Sequence, residues 1–391
     1  MRDILFLAHR VPFPPDRGDK IRSHAVLRHL TQRARIHLCA FADDPADDTP
    51  ALELLALTAS CTIVARRKGR ARAALEALAS GRPVSLTAFD DPAMHAAVAA
   101  APPTDATYCF SGQMAQYLAG EGVEVMDFVD VDSAKFAQLA DTAPLPLRAL
   151  YRREARLLGR FEQEVAARAT ASLFVTGAEA ALFGCGPRVQ VVENGIDGRR
   201  FDPAAAFAPL NAPGQLIVFT GQMDYRPNVD AVTWFTRAVL PQVRARHPQA
   251  RFAIVGRAPA ATVRALAGEG VVVTGAVDDT RPWLAAAAVC VAPLSLARGV
   301  QNKVLEAMAM ARPVIASPAA AEGIDHSGTI TVADSAEAWT EQVCAALDAV
   351  AHGARQGAAA RARVLARYDW DARLAPLDAL LGLGEPARAA A

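Results

Sequence analysis

Short apolar runs alternate with stretches of helical period along the whole chain. Runs bounded by glycine, proline and polar residues predict strands over 4–8, 36–41, 61–65, 107–110, 123–128, 172–175 and 189–192 in the first half. The alternation restarts with 216–220, 252–255, 271–274, 289–292, 314–316 and 330–332, and helical patterns fill the intervals. Strands and helices alternating in this way predict an α/β protein with two doubly wound, Rossmann-like domains. Between the halves, residues 193–214 carry Gly195, Gly198, Pro203, Pro209, Pro213 and Gly214 without strand or helical period, which marks a linker. A boundary near Asp202 gives a first domain over 1–202 and a second over 203–368. The last helical stretch breaks around 368–371, where Tyr368 and Trp370 flank a turn. Residues 369–391 are then expected to return to the first domain as a crossing helix and tail.

At 391 residues, 52% hydrophobic and 21% charged, the chain is long enough for two cores of ordinary size. Lysine plus arginine equals aspartate plus glutamate at 41 each. No global field therefore draws the chain toward nucleic acid or lipid, and any basic surface is local. The six cysteines, at 39, 61, 109, 185, 290 and 344, lack paired or metal-ligand spacing and read as buried thiols of a reducing compartment. The first apolar run is too short for a signal peptide, and no later run reaches membrane-spanning length, so a cytoplasmic location is expected. The eight histidines are scattered, and no hydrolase signature appears.

Candidate chemistry concentrates in APLSLARGVQNKVLEAMAMARPVIASP, residues 292–318. A strand ends at Ala292, Pro293 breaks it, and a loop carries Arg298, Gly299 and Gln301. A helix is expected over 301–310, with a further strand at 314–316. Ligands of open parallel sheets sit at such loops beyond the strand ends. Helix-start amides around Gln301 and Asn302, the charge of Lys303, and Gly299, which lets backbone approach a phosphate, together suit a nucleotide diphosphate. Glu306 shares a face with Lys303 and can accept ribose hydroxyls. The plain alternative is a surface ion pair on an ordinary helix.

Four further groups stand out. Gly18, Asp19, Lys20 and Arg22 follow the first strand and its proline-rich loop where a helix begins, with an N-cap role for Asp19 as the structural alternative. No GxGxxG dinucleotide fingerprint is present there. Asp127, Asp130 and Asp132 cluster between a strand end and a helix start at Ser133. They read either as a site for substrate hydroxyls or as helix capping by Asp132 or Ser133 beside a solvated loop; without a neighbouring histidine or glutamate, no metal is expected. Gly221 and Arg226 follow the first strand of the second half, where Arg226 reads as an exposed turn residue. Arg148, Arg152, Arg156 and Arg160 recur every fourth residue on a long helix over 147–169. That stripe either rests on anionic lipid or is a solvated face neutralised by Glu154, Glu162 and Glu164.

The segments HRVPFPPDRGDKIRSHAVLRHL, DFVDVDS, YRREARLLGRFE, VENGID, GQMDYRPNVDAVTWF and ARGVQNKVLEAMAM, in this order, resemble the family-4 glycosyltransferases of the GT-B fold. More narrowly, they are similar to sugar transferases associated with the exosortase and exopolysaccharide systems of Gram-negative bacteria. The resemblance covers nearly the whole chain. LEAMA alone is shared by many family-4 members, whereas the full set is specific. It implies GT-B architecture, with two Rossmann-like domains facing a cleft and a C-terminal helix crossing back to the first. It also implies transfer of a glycosyl group from a UDP- or GDP-sugar, with retention at the anomeric carbon and without a bound metal or cofactor.

By the same resemblance, Gly18, Gly221, Arg226, Val277, Arg298, Gly299, Gln301, Asn302, Lys303 and Glu306 lie on the donor side, Val277 in the loop that holds the base. Lys20, Arg22, Asp127 and Asp132 lie on the acceptor side. Asp130 sits near where many members place a catalytic histidine, and Asp19 and Lys303 join it as catalytic candidates. The family's donor motif has two glutamates with seven residues between them; the second maps onto Glu306, but the first position is Arg298. The narrower group has this Arg-Gly form itself. The acceptor implied is a glycan or lipid-linked precursor, with no nucleic acid partner. A GT-B sugar-nucleotide epimerase and a non-catalytic paralogue that binds nucleotide sugar are the alternatives.

Overall fold

The computed structural model describes residues 1–15, 17–43, 47, 49–210, 215–297, 299–348 and 350–384. Among them thirteen strands form, each on one of the apolar runs. They are β1 Arg2–Ala8, β2 Ala34–Ala42, β3 Ser60–Ala65, β4 Ala106–Phe110, β5 Val123–Val129, β6 Ala171–Phe174 and β7 Val189–Val191, then β8 Gln215–Thr220, β9 Ala250–Val255, β10 Val271–Gly275, β11 Val289–Ala292, β12 Val314–Ala316 and β13 Thr331–Val332. Two sheets result, ordered β3-β2-β1-β4-β5-β6-β7 and β10-β9-β8-β11-β12-β13, with parallel pairing between neighbours. This is the doubly wound α/β arrangement that the strand and helix alternation predicts.

Parallel strands joined through helices are covered on both faces, which is why Ile4, Leu5, Phe6, Leu7 and Ala8 are all buried without alternation. In each sheet the order reverses beside the first strand, at β1/β4 and at β8/β11. Helices leave toward opposite faces there and open a crevice beyond the carboxyl ends.

The chain divides into two compact units, Met1–Glu193 with the segment from Arg373, and Asn194–Ala372. The first unit centres on Phe41, Met114, Phe128 and Phe174, with the Phe128 and Phe174 rings stacked 5.5 Å apart. In the second, Phe235 packs against Phe252 at 4.7 Å and edge-on against Trp339 at 6.0 Å. Cys185 is exposed, so the expectation of buried thiols fails at that position. No helix of the described residues is long and apolar enough to cross a membrane.

The terminal segment breaks where the sequence places its turn. One helix, Val350–Tyr368, is followed by Trp370–Leu374 and Pro376–Leu380. Leu374, Leu377 and Leu381 are fully buried in the first unit. Arg2 Nη1 donates to the Leu381 carbonyl at 3.1 Å, and Asp378 meets His29 Nε2 at 2.9 Å and Arg33 Nε at 3.1 Å. Replacing Asp378→Asn leaves Arg33 and His29 with a neutral partner in a largely buried place. It should lower stability by about 1–3 kcal/mol, seen as a lower urea midpoint with an unchanged m value.

Candidate functional site

At the carboxyl edge of the second sheet, β8 runs into Gly221 and β9 into Gly256. Both have positive φ, 156° and 152°. A Cβ on Gly256 would lie 1.7 Å from the Gly221 carbonyl oxygen, and one on Gly221 would lie 2.9 Å from Asn228 Nδ2 and 3.4 Å from Lys303 Cε. Only glycine at both positions lets the two strand ends close and admits Asn228 and Lys303 against them.

From β11, Leu294 leads into the loop before the helix Asn302–Ala309, and Ser317 Oγ pins that loop by donating to the Leu294 carbonyl at 2.6 Å. Gln301 precedes the helix in extended conformation, so the helix is one residue shorter at each end than its period predicts. Val304, Leu305, Ala307, Met308 and Ala309 are its buried positions, and Lys303 and Glu306 share a half-buried face.

Lys303 Nζ donates to Asn228 Oδ1 at 3.1 Å and lies 5.2 Å from the centre of the Phe219 ring. Asn228 is held in turn by its own donation to the Gln222 carbonyl at 2.9 Å. Lys303 thus spends its ammonium on Asn228 and the aromatic ring, not on an ion pair with Glu306. Burial pushes Lys303 down to about 8, with the Glu306 carboxylate opposing the shift. Burial likewise raises Glu306 to about 7, against Lys303 and Arg200. Among the described residues no hydrogen bond reaches the Glu306 carboxylate, and the buried Asn302 Oδ1 also has no partner. A cation, an acceptor without a donor, and the first amides of a helix therefore converge at one strand-end crevice, a set suited to an anion carrying hydroxyls.

The other donor-side expectations are placed less uniformly. Arg226 opens the helix Arg226–Trp234, is 84% exposed and pairs with Asp230 at 2.7 Å one turn on, as the exposed-turn alternative describes. Val277 is half-buried against the core of the second unit. Gln301 Nε2 approaches the Gly299 carbonyl at 3.4 Å. Arg298 lies outside the described residues. Sequence reasoning passes over Arg257, directly beyond β9, whose Nη2 lies 3.5 Å from Gln222 Oε1. A cation immediately after an apolar run is the signal that would have found it.

In the first unit the edge of β1, β2 and β3 carries a charge network. Gly18 opens the helix Gly18–Thr31 and Arg17 occupies its N-cap, so Asp19 sits in the first turn and does not cap. Asp19 meets Arg10 Nη1 at 2.5 Å, Arg17 Nε at 3.1 Å and His9 Nε2 at 3.3 Å. Arg10 also reaches Asp43, which Arg66 shares. Burial works to raise the Asp19 carboxyl, but the His9 hydrogen bond and the two arginines override it and hold it well below the usual range. Burial pushes the His9 imidazole down, against the pull of Asp19, and its ring stacks 5.7 Å from Phe110. The sequence pattern singles out Asp19 but misses His9, Arg10, Asp43 and Arg66, each of which falls just past a strand end.

Three acceptor-side expectations are corrected by burial. Arg22, on the same helix stripe as Val26 and Leu30, is 1% exposed and donates through Nε to Asp127 at 2.8 Å. Asp127 is fully buried and also accepts from the Tyr108 hydroxyl. Both are sealed against a substrate by each other. Lys20 is buried as well, pairing with Asp47 at 3.1 Å.

Asp130 and Asp132 stay half-buried and share Lys135 at 2.9 and 3.1 Å; burial opposes the charge of that lysine, but the two carboxylates raise its pKa. Capping by Asp132 or Ser133 does not occur. Glu179 accepts from the Val131 amide at 2.7 Å, and Glu162 from the Ser133 amide at 3.1 Å. Val129, with φ 72°, makes the sharp turn that separates buried Asp127 from Asp130.

Residues 214–349 match the family model described as glycosyl transferases group 1. No curated protein matches the chain in sequence. Several solved structures share its fold over almost the full length. HepE of Anabaena, in complex with UDP and glucose, has TM-score 0.66 and 14% identity, with 98% of this chain and 100% of that one covered. Sucrose-phosphate synthase from Thermosynechococcus elongatus has TM-score 0.68 and 18% identity over 97% and 98%. WaaG, a glycosyltransferase involved in lipopolysaccharide biosynthesis, has TM-score 0.68 and 17% identity over 97% and 100%. The architecture is therefore GT-B, two parallel-sheet Rossmann-like domains, as the sequence resemblance implies.

Asp127→Asn leaves the Arg22 guanidinium buried without a counter-charge and should cost about 3–5 kcal/mol of stability. Asp130→Asn, at a half-exposed pair, should stay within about 0.5 kcal/mol of wild type. Urea unfolding of the two variants separates a buried structural carboxylate from a half-exposed paired one, and equal losses would contradict these placements.

Proposed function

We propose that the chain is a retaining, metal-independent glycosyltransferase that moves a sugar from a UDP- or GDP-sugar to a glycan or lipid-linked precursor in exopolysaccharide assembly. Within the resemblance, it belongs to the family-4, exosortase-associated type. The observation that carries the reading is the half-buried Lys303 and Glu306 pair at a helix start, inside the segment that matches the glycosyl transferase model. HepE, of the same fold, was solved with UDP-glucose as well as with UDP, which supports a nucleotide-sugar donor here. The proposed location is cytoplasmic, at the inner face of the membrane where a lipid-linked acceptor is presented.

In this reading the diphosphate lies against the first amides of the helix Asn302–Ala309, approached through Gly221 and Gly299 and framed by Gln301. Glu306 accepts from the ribose hydroxyls. As the glycosidic bond breaks, its electron pair moves onto the terminal phosphate oxygen, and Lys303 stabilises the charge that grows there. By resemblance, Asp19, Asp130 and Asp132 remain the acceptor-side candidates. Gly18, Arg226, Val277 and Arg298 remain donor-side candidates by resemblance.

Glu306→Gln should weaken donor and free nucleotide alike by roughly ten- to 150-fold, since a charge-assisted hydrogen bond contributes about 1.5–3 kcal/mol. Lys303→Ala should lower turnover more than nucleotide affinity. Calorimetric titration with UDP and GDP, alongside turnover with a lipid-linked acceptor, checks both; wild-type values in both variants would sink the assignment. Donor consumption without any acceptor would point to the epimerase. Turnover should survive EDTA, and loss restored by magnesium or manganese would overturn the metal-independent part.

The ionisation of the pair also gives the pH dependence a sign. Glu306 becomes a carboxylate as pH rises through about 7, and Lys303 loses its proton as pH rises through about 8. Nucleotide affinity should therefore peak between those values and fall on either side. Glu306→Gln should flatten the acidic limb only, and a profile identical to wild type would count against the role of Glu306.

A further inference from the structure

The helices Asp132–Thr142 and Leu147–Arg168 pack on one another as a hairpin. Arg148, Arg152, Arg156 and Arg160 climb the second helix over about 18 Å at 1.5 Å per residue. Arg152, Arg156 and Arg160 are exposed, and no ion pair reaches them among the described residues. The carboxylates that the sequence offers as neutralising partners are mostly committed elsewhere. Glu154 is buried and accepts from the Val84 and Ser85 amides at 2.8 and 2.7 Å. Glu162 is buried on Ser133. Of the three, Glu164 alone is exposed.

The tip of the same hairpin is apolar and uncovered. Leu145 in its turn is 77% exposed, and Leu139, Leu147 and Leu150 beside it are exposed as well. Behind the tip a shallow groove of about 480 Å³ is lined by Val131, Ala134, Ala155 and Leu182, with Arg152, Arg156 and Asp141 along its sides. Leucines exposed at the tip together with arginines in no ion pair fit a lipid interface. The leucines enter the acyl boundary, and the arginines stay at phosphate depth with their aliphatic stems packed beneath them.

We infer that this hairpin is a docking surface for an anionic bilayer, apolar tip first, with the arginine stripe on the headgroups. It deepens the acceptor side of the proposed function by naming what brings the chain to a lipid-linked substrate, and its test does not use turnover.

The full chain is sedimented with vesicles of phosphatidylcholine alone and with vesicles of equal phosphatidylcholine and phosphatidylglycerol. It should pellet with the second only, and raised salt should release it. Since each arginine near an anionic surface contributes about fivefold to partitioning, joint Arg152→Glu, Arg156→Glu and Arg160→Glu should weaken it by at least about a hundredfold. Leu145→Ser with Leu147→Ser should weaken it further while keeping the salt dependence.

Circular dichroism and UDP affinity report whether these variants fold. If either does not, Leu145→Cys in a Cys185→Ser background, carrying an environment-sensitive fluorophore, should shift to the blue on the anionic vesicles. Four results would each overturn the inference: no pelleting of wild type with the mixed vesicles, equal pelleting with neutral ones, retention by both variants, or no blue shift. Capture by polyglutamate without vesicle binding would identify an acidic protein partner and likewise overturn it. Failure here with wild-type nucleotide affinity intact leaves the proposed function standing, whereas loss of that affinity alone removes the proposed function and not this surface.

Discussion

Parallel strands covered on both faces push polar side chains to the loops beyond the strand ends, above all the carboxyl ends. Both units of this chain gather polar side chains there, the first beyond β1, β2 and β3 and the second beyond β8 and β11. In the second unit the constraint becomes atomic at Gly221 and Gly256, where the backbones come too close for any side chain. Closure there brings Asn228 beneath Lys303 and sets the lysine over Phe219. The helix Asn302–Ala309 can then present its first turn to the crevice without losing its apolar anchorage on Val304, Leu305 and Met308.

The two polar edges differ in how their charges are satisfied. In the first unit Asp19 and Asp43 are surrounded by Arg10, Arg17 and Arg66, so desolvation is offset by partners already in the fold. In the second unit the offset is partial. Lys303 drops to about 8 and Glu306 rises to about 7, which corresponds to roughly 3 kcal/mol of lost preference for the charged form at each. A fold retains such groups when something outside the chain completes them. At the first edge the carboxylates are met by arginines of the fold, whereas at the second the Glu306 carboxylate accepts no hydrogen bond among the described residues.

Much of this is legible in the sequence because apolar runs and helical spacing are local properties. All thirteen strands fall on runs of Val, Ile, Leu, Phe and Ala, and the three-residue spacing of Lys303 and Glu306 is enough to place them on one helix face. What is illegible depends on long-range partners. Arg22 and Asp127 meet across 105 positions, and a charged residue on an otherwise apolar helix stripe is easily read as exposed. The helix that follows Val131 is held by Glu162 and Glu179 from two other elements, so its own Asp132 and Ser133 mislead as caps. Arg226 shows the reverse case: a local partner, Asp230 one turn on, is enough to hold it at the surface.

A balanced composition does not imply a balanced surface. Asp127, Glu154, Glu162 and Glu179 of the first unit are all buried, each engaged with backbone amides or with Arg22 and Tyr108. Carboxylates accept several amide hydrogen bonds at once and so suit the capping of buried helix starts. Guanidinium groups on long stems reach water more readily, although Asp127 draws Arg22 inside. On the helix Leu147–Arg168, Glu154 and Glu162 face inward onto helix starts while Arg152, Arg156 and Arg160 stay exposed on another face. The equal totals of acidic and basic residues conceal this asymmetry, because it is created by which sign the fold needs inside.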